Sequence, residues 1–158
     1  TLHTNNAAGT LNRMADMGVE RYLIADSVVG VIAQRLVRKL CPHCRKKRLA
    51  TEEEKRLLKQ DTYKEMEIYE PTGCDLCNHT GYFGRTGVFE IMEVTPAIRN
   101  MIRENKVHQI DGLIYSSTGS GMISMDQSLI NLYKEGQISK ETAILYASNP
   151  EMIIKRIR

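Results

Sequence analysis

The chain has 158 residues, of which 42% are hydrophobic and 26% charged, and this balance is typical of folded domains rather than of disordered or fibrous chains. Its formal net charge is +3, so it is neither strongly basic nor strongly acidic as a whole. The longest apolar stretch, Tyr22 to Ala33, is interrupted by Asp26 and is shorter than the ~20 residues of a membrane-spanning helix, so no transmembrane helix is predicted.

The N-terminal region is predicted to contain the end of a strand, two helices and a second strand. The first five residues, Thr-Leu-His-Thr-Asn, are expected to end a strand, and Asn5 or Asn6 then to cap a helix. Gly18 is predicted to end this helix in a left-handed conformation. A second helix is predicted from about Arg21 to Val29, and alternation over residues 31–37 predicts a strand. No signal peptide is predicted, and we expect the sequence to be part of a longer protein.

All four cysteines occur in two C-x-x-C pairs, separated by 29 residues. Two thiolates three positions apart on a tight turn can bind one tetrahedral Zn²⁺, and two such turns complete a closed shell of four sulfurs. Disulfides and thiol redox chemistry are the less favoured alternatives, and His43 and His79 are interpreted as lying outside the ligand set. A closed site of this kind stabilises a fold and does not catalyse. The predicted metal ligands are Cys41, Cys44, Cys74 and Cys77.

A basic cluster surrounds the first cysteine pair, because no acidic residue lies between Asp26 and Glu52. It is either a solvated loop beside the metal site or a surface for an anionic partner such as lipid headgroups, nucleic acid or an acidic protein. Nucleic acid is not expected, since no aromatic residues alternate with the basic ones. The cluster consists of Arg35, Arg38, Lys39, Arg45, Lys46, Lys47 and Arg48.

The segment that separates the cysteine pairs, and the segment after them, are predicted to contain short elements. Thr51 begins a capping box that opens a charged helix to about Gln60, and a strand is predicted from Met66 to Glu70. A glycine-rich stretch over residues 81–87 is expected to turn sharply before a strand that runs from Val88 to Val94.

From Thr95 onward the pattern predicts helices. Thr95 is a cap followed by proline at the first helical position, and Ser124 begins another capping box whose helix ends at Gly136. Ser139 is predicted to open a last helix from about Lys140 to Ala147. The stretch 117–122 resembles the end of a phosphate-binding loop, but it lacks the required lysine and is interpreted as a loop between helices. The pattern therefore predicts a partial α/β region with an inserted zinc module, followed by a helical bundle.

Several spaced motifs together resemble one family. They are Thr1-Leu2-His3-Thr4-Asn5-Asn6-Ala7-Ala8-Gly9 with Arg13, the run Ala33-Gln34-Arg35-Leu36-Val37-Arg38 before Cys41, the paired C-x-x-C turns, and Gly84-Arg85-Thr86-Gly87-Val88-Phe89-Glu90. In this order they resemble the C-terminal part of the type II secretion and type IV pilus assembly ATPases, over residues 1 to about 94.

The resemblance implies a RecA-like motor domain whose histidine faces the terminal phosphate of ATP, so His3 is the catalytic candidate. It implies that residues 1–40 end the ATPase domain, that 41–80 form the zinc module, that 81–94 return to the ATPase domain, and that 95–158 form a C-terminal helical domain. Arg13 and Arg35 fall on matching positions without an assigned role.

The resemblance also implies a cytoplasmic homohexamer at the inner face of the bacterial cell membrane, docked on an inner-membrane platform protein. ATP and Mg²⁺ would bind only the full-length protein, because the family's phosphate-binding loop would precede Thr1, and these residues alone are expected to be inactive.

Two other functions stay open. Residues 106–110 and 121–129 look more like the pilus retraction ATPases, which generally lack the cysteine pairs. The other alternative is a stand-alone zinc-stabilised binding module that uses the basic cluster.

Overall fold

A computed structural model describes residues 1–57, 61–117 and 121–151. The chain forms two compact units: Thr1–Arg35 with Phe89–Met125, and Leu36–Val88 with Asp126–Arg158. The helices that follow residue 95 are divided between these units, and the predicted domain boundaries remain a proposal. None of the helices in the described ranges is long and apolar enough to cross a membrane.

The structure contains seven helices and four strands within the described residues. Strand β1 (Gly30–Leu40) pairs with β4 (Tyr82–Glu93), and β2 (Lys46–Leu49) pairs antiparallel with β3 (Glu67–Glu70). Short 3₁₀ turns occur at Asp75–Cys77 and Val107–Gln109. The elements are α1 (Ala7–Asp16), α2 (Arg21–Ser27), β1 (Gly30–Leu40), β2 (Lys46–Leu49), α3 (Glu52–Leu57), β3 (Glu67–Glu70), β4 (Tyr82–Glu93), α4 (Pro96–Arg103), α5 (Ile110–Ser116), α6 (Met125–Lys134) and α7 (Lys140–Tyr146).

Most helix boundaries follow the predicted caps. The side-chain oxygens of Asn6, Thr95 and Ser139 each accept a hydrogen bond from the backbone N–H three residues later, which satisfies one free donor of the first turn. Gly18 and Gly136 follow helices α1 and α6 with φ of +91° and +67°, a left-handed conformation that glycine adopts at little cost. These predictions are confirmed.

Three expectations about strands and turns need correction. Residues Thr1 to Thr4 are not in a strand, because no described strand pairs with them. The last three residues of the basic cluster, Lys46 to Arg48, are not in a loop but in strand β2, which pairs with β3 and places Lys46 opposite Glu70. Residues 82–87 belong to strand β4 and do not form the expected sharp turn. A bend is present at Gly81, and both Gly81 and Gly84 have positive φ. The predicted end of the third helix at Gln60 lies outside the described residues.

The first unit has a continuous hydrophobic core. Helix α1 contributes Ala7, Ala8 and Leu11 to this core, and helix α2 contributes Ile24 and Ala25. The apolar faces of the two N-terminal helices are thus buried in the same core. The remaining members of the cluster come from the end of β4, from α4 and from the segment up to Ile114. They are Met92, Val94, Ile98, Ile102, Val107, Ile110 and Ile114. This packing fixes α1, and with it the start of the chain that carries His3.

Candidate metal centre and histidine cleft

The two C-x-x-C pairs meet in the second unit. Their four Sγ atoms all lie within 4.8 Å of one another. The separations are 4.0 Å from Cys41 to Cys74 and 3.8 Å both from Cys44 to Cys77 and from Cys74 to Cys77. The cysteines are not joined by disulfides. The four predicted metal ligands therefore lie together in the fold.

The spacing of the sulfurs fits a tetrahedral metal ion. Zinc–sulfur bonds of about 2.3 Å place the corners of a tetrahedron about 3.8 Å apart, close to the separations observed. Backbone N–H groups of Gly73, Cys74 and Gly81 donate to the sulfurs of Cys44 and Cys77 at 3.2 to 3.3 Å, as expected around negatively charged thiolates. The four cysteines could hold a metal ion.

The second cysteine pair depends on an unusual backbone. Asn78 and His79 follow the 3₁₀ turn with φ of +49° and +58°, and Gly73 and Gly81 also have positive φ. A Cβ atom at Gly73 would lie 2.8 Å from the carbonyl oxygen of His79, so only glycine allows this close approach. The N–H of Cys41 then donates to the carbonyl of Gly81 at 2.9 Å, which joins the two pairs.

The two histidines near the cysteines lie outside the cluster. The imidazole of His79 is exposed and its Nε2 lies 3.1 Å from the carboxylate of Asp75. His43 is also exposed. Neither side chain is part of the group that could bind the metal.

The thiols of the cluster have different acidities. Desolvation raises the pKa of Cys44 to about 11, assisted by hydrogen bonds with the neighbouring thiols. Desolvation also acts on Cys77, but it is outweighed by hydrogen bonds from the N–H groups of Cys74 and Gly81, which lower the pKa of Cys77 to about 6. Of these two groups, the thiolate is favoured at Cys77 and the thiol at Cys44, and a bound cation would displace the proton of Cys44.

The segment between the cysteine pairs is held together by a partly buried ion pair. Glu54 completes the predicted capping box, because its carboxylate accepts from Thr51 N–H at 2.9 Å while the Thr51 hydroxyl accepts from Glu54 N–H at 3.2 Å. Both Nη atoms of Arg48 donate to this carboxylate at 2.8 Å, and Arg48 also bonds Glu70 on β3. The hydrogen bonds from Arg48 lower the pKa of Glu54 to about 2, against the effect of desolvation.

Much of the basic cluster is used within the second unit. Besides Arg48, Lys47 pairs with Glu67. The guanidinium groups of Arg38 and Arg45 stack on the rings of Tyr82 and Tyr69, 4.2 and 4.4 Å from the ring centres. These contacts favour the structural interpretation of the cluster over a surface for an anionic partner.

The turn between α6 and α7 packs closely against the cysteine-bearing segment. Arg45, next to Cys44, donates to the carbonyl of Gly136 at 2.6 Å, and Leu40 N–H donates to Gln137 at 2.8 Å. A Cβ atom at Gly136 would lie only 2.2 Å from a ring carbon of Tyr69. The residues around the cysteine cluster and this turn therefore form one packed structure.

In the first unit, His3 is exposed and lines a cleft of about 490 Å³. Thr4, Thr10 and Gln34 provide other polar groups there, and the remaining lining is largely apolar. The predicted catalytic candidate thus faces an open space rather than the core.

The segment that carries His3 is fixed by several hydrogen bonds. The hydroxyls of Thr4 and Thr10 are 2.7 Å apart. Asn6 caps α1, and Arg35 donates from Nη2 to the carbonyl of Asn5 at 3.1 Å, which gives Arg35 a structural role. Arg13 is exposed near the end of α1.

One polar residue of the first unit was given no role of its own by the sequence analysis. Glu90 of β4 is only 5% exposed. Its carboxylate accepts from the N–H of Ala7 at 2.7 Å and from the N–H of Met125 at 3.3 Å. Its burial could have been predicted from the period of two along β4, because Glu90 lies on the same face of the strand as the buried residues Val88 and Met92.

Comparisons with known proteins give a consistent result. A family model described as "Type II/IV secretion system protein" matches residues 1–138. The type II secretion system ATPase E of Vibrio cholerae is 38% identical over 147 residues, which cover 90% of the chain and 29% of that protein. The type II secretion system protein E of Aeromonas hydrophila is 47% identical over 102 residues, covering 65% of the chain and 20% of that protein.

Two further matches concern pili. The type IV pilus assembly ATPase TfpB of Acinetobacter baylyi is 43% identical over 104 residues, covering 65% of the chain and 18% of that protein. The crystal structure of the pilus retraction motor PilT with bound ADP superposes with a TM-score of 0.62 at 25% identity, covering 98% of the chain and 33% of that protein. The chain thus spans about a third or less of the length of these relatives.

Removal of the metal is expected to loosen the region from Cys41 to Cys77, because metal-binding free energy orders the site. Chelation, or the substitution Cys41→Ser, should lower the melting temperature and speed hydrogen exchange across this region. Elemental analysis should find one zinc per chain before chelation, and chelator should have no further effect on Cys41→Ser. An unchanged melting profile after verified metal removal would contradict a structural metal.

The Glu54→Gln substitution is expected to lower the free energy of unfolding at pH 7 by about 2–3 kcal/mol. The pKa of Glu54 is depressed from 4.5 to about 2 in the folded state, so its stabilisation is present above pH 4.5 and is lost as the pH falls toward 2. Urea unfolding from pH 7 to pH 2.5 should show the difference from wild type shrinking over that range. Glu53→Gln, at an exposed position on the same helix α3, is the matched control. If the difference in unfolding free energy between wild type and Glu54→Gln does not depend on pH, it does not arise from the lowered pKa of Glu54.

The Gly136→Ala substitution is expected to destabilise the chain by more than the ~1 kcal/mol cost of a positive φ, because the added methyl group would overlap the ring of Tyr69. Gly18→Ala is the control, since Gly18 has φ of +91° but no atom within 4 Å of its Cβ position. In a Tyr69→Ala background, the loss of unfolding free energy caused by Gly136→Ala should fall to that caused by Gly18→Ala. Equal costs in the wild-type background would show that the close packing is unimportant.

Proposed function

The chain belongs to the type II/IV secretion system protein family, and we propose that it is the C-terminal part of a hexameric motor that hydrolyses ATP to power type IV pilus assembly or type II protein secretion. The observation that carries this proposal is the family match over residues 1–138, which includes both the His3 segment and the four cysteines. Relatives named as ATPases of secretion and of pilus assembly support the same activity.

In the proposed motor, His3 faces the terminal phosphate of ATP bound with Mg²⁺ in the full-length protein. An imidazole at the edge of an open cleft would orient the attacking water, or would stabilise charge that develops during phosphoryl transfer. The sequence contains no G-x-x-x-x-G-K-S/T motif, so the 158 residues alone are proposed to be inactive.

The four cysteines are proposed to bind a structural zinc ion. Cys41, Cys44, Cys74 and Cys77 would hold it, and a four-thiolate shell leaves no position for a substrate. When bound, zinc supplies charge neutralisation and rigidity rather than a reactive centre. Arg45, next to Cys44, joins the cysteine-bearing segment to the turn at Gly136 through a hydrogen bond of 2.6 Å.

The motor is proposed to be a cytoplasmic homohexamer that docks on an inner-membrane platform protein at the inner face of the bacterial membrane. Contact with anionic lipids is a weaker part of the proposal, because Arg38, Arg45, Lys47 and Arg48 already have partners within the second unit. The same contacts argue against a stand-alone module that binds through the basic cluster.

Pilus retraction is the second candidate function. It is favoured by the similarity to the retraction motor PilT over 98% of the chain. The cysteine cluster favours assembly or secretion instead, since the retraction motors generally lack it. Restoration of pilus extension, pilus retraction or protein secretion in strains that lack the corresponding ATPase would separate the three.

The His3→Ala substitution in the full-length protein is expected to reduce kcat for ATP hydrolysis at least tenfold, which corresponds to about 1.4 kcal/mol of activation free energy. Steady-state phosphate release is the measurement, with the exposed His108→Ala as the matched control. A smaller loss would argue against a catalytic role for His3. Absence of ATP hydrolysis in the wild-type full-length protein would overturn the proposed function itself.

A further inference from the structure

Glu90 is a buried carboxylate bonded to the start of two different helices. Its Oε1 accepts from the N–H of Ala7, the first residue of α1, at 2.7 Å. Its Oε2 accepts from the N–H of Met125, the first residue of α6, at 3.3 Å. Both hydrogen-bond donors to the carboxylate are therefore backbone N–H groups, not the side chain of a lysine or an arginine.

The local fold explains why this carboxylate lies between two helix starts. Glu90 occupies a buried position of β4 between Val88 and Met92. The neighbouring residue Ile91 forms an antiparallel bridge with Ile123, and this bridge leads the chain to Met125 beside the carboxylate. On the other side, α1 is held by the core of the first unit, with Ala7 fully buried.

The arrangement is electrostatically favourable although the carboxylate is buried. Free N–H groups in the first turn of a helix carry partial positive charge, and a carboxylate near such groups is stabilised. Burial of an ionised group without such donors would be strongly unfavourable. Because Ala7 is only four residues from His3, the bond that fixes the start of α1 also limits the positions open to the histidine.

We propose that Glu90 is a positioning residue for His3: by bonding Ala7 N–H it fixes the start of α1 and, through the segment 4–6, holds the imidazole at the cleft. This inference rests on the proposed function of His3 and deepens it. Asn6, Thr10 and Arg35 hold the same segment from its other sides, so that four side chains together determine its path.

The test compares Glu90→Gln with His3→Ala and with the double variant in the full-length protein. Glutamine has the shape of glutamate but is uncharged and replaces one acceptor oxygen with a donor. One of the two helix bonds is therefore lost, and the bond that remains is no longer strengthened by the charge of the carboxylate. We expect kcat for ATP hydrolysis to fall about tenfold while KM changes less than twofold. In the double variant we expect no further loss beyond His3→Ala, because Glu90 acts through His3.

Matched measurements keep the inference falsifiable. Glu93→Gln removes a charge from an exposed position of the same strand and should leave kcat within twofold of wild type. Hydrogen exchange of the peptide that covers residues 1–10 should speed up in Glu90→Gln and not in Glu93→Gln. If Glu90→Gln does not fold, the shorter carboxylate of Glu90→Asp, which keeps the charge, should fold with faster exchange over residues 1–10.

The possible outcomes separate this inference from the proposed function. Losses that multiply in the double variant, or a kcat within twofold of wild type in Glu90→Gln, would overturn the positioning role. If the wild-type full-length protein does not hydrolyse ATP, the proposed function fails, and the exchange measurement alone then decides whether Glu90 fixes the His3 segment. Unchanged exchange over residues 1–10 in both Glu90 variants would overturn it.

Discussion

Four thiols that lie within 4.8 Å of one another cannot all ionise without a cation between them, because each thiolate opposes the ionisation of the next. A large part of the second unit lies between the two cysteine pairs. The cysteine pairs are 29 residues apart in sequence, and strand β2, helix α3 and strand β3 lie between them. A cation that binds all four sulfurs would close this long loop, and the ion pair of Arg48 with Glu54 stabilises the residues within it.

The parts of the fold that were predictable depend on local signals. Asn6, Thr95 and Ser139 cap helices through bonds that span three residues, and each was recognisable from the sequence. The spacing of the cysteines likewise predicted a cluster, and the cluster is present. Such features are encoded within a few neighbouring residues, so one sequence is enough to find them.

The parts that were not predictable depend on contacts between distant residues. Strand β2 was missed because Lys46 to Arg48 have little strand propensity, and its pairing depends on β3, about twenty positions later. The role of Glu90 was not predicted because nothing near it in sequence shows that two helices begin beside it. For the same reason, the sequence left open whether the basic cluster binds a partner, whereas the structure shows acidic and aromatic partners within the second unit.

The contact between Gly136 and Tyr69 also limits how this family can vary. The two residues are far apart in sequence, but the ring occupies the space that any side chain at 136 would need. With φ of +67° at that position, asparagine is the replacement that the backbone tolerates best. Homologues with asparagine at the position of Gly136 should therefore carry a small residue at that of Tyr69, and the two alignment columns should covary although neither residue contacts a ligand.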